Sequence, residues 1–399
     1  MILGILYELK KHIFAKSNLI ILLVLTVMGA ALLFWNEGGY FFEKAERQKF
    51  YAQMGETFSE EDKEKYTEEA EKLDLELYPL DADGAISFNE EEMEKAGKYV
   101  GTKLEDHYYL KGLLKCIEIV EKRNRNMKLL SEGYVGATSD YEKEDNHMLA
   151  DQKKLTAAAQ HMGFGLLPCI ACIILLCSSF AMEYETHLYP VLCITKKEYW
   201  SICIAKILAG VLVAVACNLY FWGVYLGLQF LIIGMTAKDW GQPLFLAEGY
   251  QMCASGYTIW SLLARQILAS VLVSLLVAML TLLLSKVIKK SNYALLAALV
   301  LFAVMLIPDL LNTFIYDSIY FVNMSNWYIV SEPTFYRILH FAKMINPVSM
   351  LQFQYYMEQP QYTLISSYQY PLYCFPILVA VILTGIFGMI LFHQKKRGL

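Results

Sequence analysis

The chain is poor in the features that mark enzymes and soluble binding proteins. It has no Gly-x-x-x-x-Gly-Lys-Ser/Thr run, so it cannot cradle ATP phosphates by itself. His-Glu-x-x-His and Gly-x-Ser-x-Gly are also missing. Its seven histidines (12, 107, 147, 161, 187, 340 and 393) show no metal-ligand spacing, so no metal site is expected. A basic surplus is lacking too: 34 Lys and Arg stand against 39 Asp and Glu, which argues against a nucleic-acid partner. Nine cysteines form no framework. Six of them (Cys169, Cys172, Cys177, Cys203, Cys217 and Cys374) lie in apolar runs, Cys193 sits in a short charged loop, Cys253 falls in the segment 236–265, and Cys116 is alone in a polar segment. A disulfide scaffold needs spaced partners in one soluble region. Finally, the centres of the apolar runs are nearly free of charge: Lys206, Arg265 and Asp309 sit near their ends. A proton or sodium relay therefore has no carrier, and an intramembrane enzyme has no acid, base or nucleophile constellation.

What is present is hydrophobic length. Of 399 residues 56% are hydrophobic, and mean hydropathy is +0.37. The apolar residues fall in blocks of about 20, the length a helix needs to cross the hydrocarbon of a bilayer. The expected fold is an all-α polytopic membrane protein. It has six transmembrane helices, an N-terminal amphipathic surface helix and a mainly helical extracellular domain between spans one and two. Residues 1–17 form the interfacial helix, with Ile2, Ile5, Leu6, Leu9 and Ile13 at helical spacing among lysines. The spans are expected at 18–35, 162–182, 202–235, 266–284, 292–307 and 371–392. Between them lie the extracellular domain 36–161, a loop 183–201, an outer segment 236–265, a loop 285–291 and an outer or re-entrant segment 308–370; residues 393–399 form a tail. A secretory signal peptide is the alternative for the N-terminus, but Leu19 to Trp35 is long for its apolar core. The third run has 34 residues, about 51 Å of helix, so it must tilt or project. Pro308 and Asp309 are expected to end the fifth span.

The polar insert is acidic. Residues 36–160 carry 29 acidic and 18 basic side chains, a net of −11, and the rest of the chain is slightly positive. Ser59 followed by Asp62, and Asn89 followed by Glu92, open two expected helices, and a third runs from Asp140 into the second span. Asp81, Asp83 and Gly84 begin like a calcium loop, but the remaining ligands are missing, so a surface turn is expected. The acidity is read as solvation, with reception of a cationic substrate as the alternative. Lysines and arginines cluster at the N-terminus, in 183–206, in 286–290 and at the C-terminus. They alternate correctly for both termini in the cytoplasm.

The stretch Phe180 to Lys206 is the most specific. Glu183 and Glu185 close the second run, Thr195, Lys196 and Lys197 form a basic turn, and Lys206 lies just inside the third. This order resembles the exporter-class (ABC-2) permeases of ABC transporters, in the style of Gram-positive bacteria. Asn346-Pro347 resembles an Asn-Pro found before the last span in that family. His187 and Tyr199-Trp200 depart from its pattern, and the 37–160 insert lies outside it. The resemblance implies a permease subunit in the bacterial plasma membrane that exports an amphipathic substrate such as a peptide, lipid or drug. It implies no cofactor on this chain, ATP and Mg on a partner ABC ATPase subunit, and a second permease in a homo- or heterodimer among membrane lipid. Glu183, Glu185, Leu188, Tyr189, Val191, Leu192, Lys196 and Lys197 would contact the ATPase; the alternative is an ordinary loop at the headgroups. Asn218 and Gln229 would line the substrate path, or join helices. Tyr320, Phe321, Trp327, Asn346 and Pro347 would form an outer gate, or anchor at the interface. The competing function is a membrane sensor or accessory protein that binds an extracellular ligand through residues 36–161 without transport.

Overall fold

A computed structural model describes residues 2–54, 60–77, 110–115, 117–118, 121, 150–160, 163–188, 196–247, 250, 257–320, 342, 346–352 and 375–392. The protein is mostly helical, with no strand among the described residues. In chain order the helices are α1 (Ile2–Ile13), α2 (Lys16–Met54), α3 (Glu60–Leu77), α4 (Gln152–Gln160), α5 (Leu166–Leu176), α6 (Ala181–Glu185), α7 (Lys196–Leu228), α8 (Ala237–Trp240), α9 (Ile259–Ile288), α10 (Ser291–Tyr320) and α11 (Phe375–Phe392).

Among the described residues, five stretches are long and apolar enough to cross a bilayer: Lys16–Trp35, Leu166–Glu185, Trp200–Ile233, Ile259–Ile288 and Ser291–Pro308. This is the architecture of a multi-pass membrane protein. The apolar part of α11, Pro376–Ile390, is shorter than the roughly 20 residues a straight crossing takes. Pro168 sits in the first turn of α5, where a missing N–H leaves no bond unmade.

Several ends differ from those expected. The first crossing stretch ends at Trp35, but its helix does not: α2 runs on without a break to Met54. The third run becomes α7 followed by a π-helical turn, Gln229–Ile233, closed by Gly234 at φ 72°. There Lys44 of α2 donates to the carbonyls of Phe230 and Leu231, both at 3.2 Å. The fourth helix starts seven residues before Gln266, because Thr258 and Ser261 form a reciprocal capping box. Arg265 then lies in the first two turns with its guanidinium 4.3 Å from the Tyr257 ring centre. Pro308 does not end the fifth helix, since α10 continues to Tyr320. A proline removes one ladder bond, and in a membrane helix neighbouring groups can satisfy what it frees. Nearby, Asn346 donates at 2.5 Å to the carbonyl of Met305, the residue after Val304, whose own carbonyl Pro308 leaves without its ladder donor.

Helix α9 is the hub. It packs against α5, α7, α10 and α11, and against the short 3-10 turn Pro347–Gln352. Gly210 of α7 permits a close approach, because a Cβ there would meet Leu282 of α9 at 2.8 Å. A separate small core lies beyond the span in α2. Phe50 packs with Tyr66 and Ala70 of α3 and with Leu110, Leu113 and Ile117. Arg47 pairs with Asp151 at 2.5 Å, and Lys63 pairs with Glu121.

Candidate functional site

Between α5 and α6 the helix breaks over residues 177–180. The break matters because it redirects backbone groups. Glu183 N–H donates to the Phe180 carbonyl at 3.1 Å rather than to Ser179, which a continued α-helix would require. The Ser179 carbonyl accepts from Lys206 Nζ of α7 at 2.5 Å instead. On the other side, the N–H groups of Phe180 and Ala181 both donate to Ser285 Oγ of α9 at 3.0 Å. Side chains from two other spans thus satisfy the broken turn.

Lys206 is the centre of this site. Its side chain is 0% exposed, and an unpaired ammonium there would cost several kcal/mol. Nζ lies 2.9 Å from Glu183 Oε1 and 3.2 Å from Glu8 Oε1. The Phe180 ring sits between two ammonium groups, 5.2 Å from Lys206 Nζ and 5.6 Å from Lys286 Nζ.

Helix α1 supplies the second carboxylate. Glu8 and His12 are one turn apart on one face. His12 Nδ1 donates to the Leu175 carbonyl at 2.7 Å, one of the acceptors that the end of α5 leaves open. Its Nε2 lies 3.1 Å from Glu8 Oε2. Burial pushes the Glu8 carboxyl up, but the His12 hydrogen bond and the Lys206 and Lys11 charges outweigh it and hold the group at about 2. Lys11 is pushed down, first by burial and then by the Lys206 charge. Polar Glu8 and His12 therefore turn inward, while Leu3, Leu6, Tyr7 and Phe14 are exposed.

The sequence-predicted loop residues have different surroundings. Glu183 faces Lys206. Glu185 is exposed and accepts from the backbone N–H (2.8 Å) and hydroxyl (2.9 Å) of Ser291, at the start of α10. Beside it Lys289 lies 5.4 Å from the Tyr184 ring centre. Leu188 is 54% exposed. Lys196 and Lys197 open α7, and Tyr189, Val191 and Leu192 lie outside the described residues.

The pathway candidates behave differently from each other. Asn218 is buried and fully engaged: its Nδ2 donates to Ser274 Oγ at 2.6 Å, and Ser270 Oγ donates to its Oδ1 at 2.7 Å. It ties α7 to α9. Gln229 is 0% exposed, and neither atom of its amide has a hydrogen-bond partner among the described residues. Of the gate candidates, Tyr320 ends α10, Asn346 bonds α10, and Pro347 opens the buried 3-10 turn. Phe321 and Trp327 lie outside the described residues.

Cys169, Cys172, Cys177, Cys203 and Cys217 are buried. The described residues contain no cluster of three or more metal-ligating side chains. Sequence reasoning missed Glu8, His12, Ser285 and Ser291. The one available signal was a carboxylate and an imidazole at i, i+4 in an otherwise apolar and basic helix. No protein-family model, curated protein or solved structure matches this chain.

Lys206→Met strands two buried carboxylates, so it should lower stability by about 3–5 kcal/mol, read by denaturation in detergent. The folded-state pKa of Glu8 lies below its ordinary value of 4.5. Its contribution is therefore complete above pH 4.5 and is lost as pH falls toward about 2. Melting temperature should fall across that window in the wild type, and Glu8→Gln should lack that part of the fall. Gln229→Leu removes an unpaired buried amide and should raise stability by about 1–3 kcal/mol in the same assay.

Proposed function

We propose that this chain is the transmembrane permease subunit of an ATP-driven exporter of the ABC-2 class. A separate ABC ATPase subunit would bind ATP and Mg, and a second permease would complete a homo- or heterodimer. In this reading α11 is the sixth span, both termini are cytoplasmic, residues 36–161 are extracellular, and the membrane is the bacterial plasma membrane. The substrate is amphipathic: a peptide, a lipid or a drug.

One observation carries the reading. The root of the charged loop is fastened to three other elements. Glu183 is bound to Lys206 of α7, which also holds Glu8 of α1. Glu185 is bound to Ser291 of α10. A force applied to the loop by an ATPase would reach α1 and α7 through buried ion pairs that are weakly screened, and α10 through the exposed Glu185–Ser291 bonds. Exposed Leu188 stands where such a partner could bury it.

A second reading has its own support. The small core of Phe50, Tyr66 and Leu113 shows a packed unit beyond the first span, suited to a sensor that binds a ligand there.

The two readings separate on co-purification with the products of neighbouring genes in mild detergent. The exporter reading expects a bound ATPase whose turnover responds to substrate. Leu188→Asp should release that ATPase while the permease keeps its elution volume. Glu183→Ala should keep it bound but uncouple its turnover, because the broken contact is internal. An intact wild-type protein that binds no ATPase would leave the sensor reading standing.

A further inference from the structure

Helices α9 and α10 do not close against each other along their whole length. A shallow, open apolar groove lies between them, lined by Val277, Leu280 and Leu284 of α9 and Ala298, Leu301 and Met305 of α10. Its one hydroxyl, Thr281 Oγ1, is already bonded to the Val277 carbonyl at 2.8 Å. The lining therefore offers nothing to a polar ligand. It lies within two membrane-crossing stretches, Ile259–Ile288 and Ser291–Pro308, and the neighbouring Leu299, Val300 and Val304 are exposed.

Each wall covers seven residue steps, Val277 to Leu284 and Ala298 to Met305, about 10 Å of helix. The walls meet at the turn Lys289–Lys290, and both lysines are exposed. From Lys289 to Val277 is twelve steps, about 18 Å, close to the half-thickness of a hydrocarbon core. A chain anchored at that turn would lay its distal part in the groove.

We propose that this groove is a lipid site. It takes one acyl chain of an anionic glycerophospholipid, whose phosphate rests on Lys289 and Lys290. The charge at the turn selects the headgroup. Lys289 and Lys290 are partly offset by Glu185, which lies one residue away on Ser291, so the exposed charge is a net +1. Lys286 points elsewhere, its ammonium donating to the Ile390 carbonyl. The apolar lining receives the chain by van der Waals packing, the drive that remains between surfaces inside a bilayer, and no buried polar group is left unmade.

The test uses the full chain in nanodiscs. Phosphatidylglycerol or phosphatidylcholine carrying a photoactivatable acyl chain is added at trace level, and labelled peptides are mapped. The expected result is phosphatidylglycerol labelling concentrated on 277–284 and 298–305, with several-fold less from phosphatidylcholine. Lys289→Gln with Lys290→Gln should reduce it by about fivefold per lysine, the effect of one basic residue near an anionic surface. Both lysines are exposed, so this variant keeps its fold, which the elution volume checks. Ala298→Leu, which fills the groove, should redirect the label. Labelling spread evenly over all exposed spans would mean annular lipid only and would overturn the site. Groove labelling indifferent to headgroup and to the lysine variant would overturn the anionic assignment.

Discussion

The desolvation of one ammonium organises the end of this bundle. Lys206 cannot sit in an apolar interior without partners, and no single neighbour could supply them all. Glu183 comes from the end of a broken span, Glu8 from the surface helix, and the Ser179 carbonyl from the break itself. Each partner would be costly to bury alone. Together they fix the position of α1 against α7 and prevent the break at 177–180 from healing into a continuous helix. The fold at this end thus depends on partners for a buried ion as well as on the apolar packing of Leu9, Ile13, Phe180 and Ile207.

Farther along the same helices the constraint changes. Asn218, Ser270 and Ser274 form a neutral hydrogen-bonded strip between α7 and α9. Gly210 brings the same two helices close by offering no side chain. Such contacts substitute for the hydrophobic drive that lipid cannot supply between spans. Gln229 is the exception. Its unsatisfied amide sits at the start of a π-turn, where the ladder is already irregular.

The spans are legible in sequence because hydrocarbon thickness imposes a length that composition reveals. Their ends are less so. Thr258 and Ser261 carry the true start of α9, but Arg265 hides it, since a charge inside a span reads as a boundary until Tyr257 is seen beneath it. Pro308 marks the end of the crossing stretch but not of its helix, which continues to Tyr320 because a membrane helix tolerates the bond a proline removes. In the site, Glu183 and Lys206 are visible as a pair of charges flanking a loop. Glu8 is not, because a carboxylate among lysines on an amphipathic helix looks solvated, and only tertiary packing turns it inward.

Helix α2 has a consequence of its own. At 39 residues it is about 58 Å long, nearly twice the hydrocarbon thickness, with no proline to interrupt it. Its inner half lies against α5 and α7, and its far end carries Phe50 into the second core. It is a lever whose fulcrum is the bilayer surface. A tilt of a few degrees within the membrane swings the far end sideways by a proportionate distance, so the small core cannot stay still while the bundle moves.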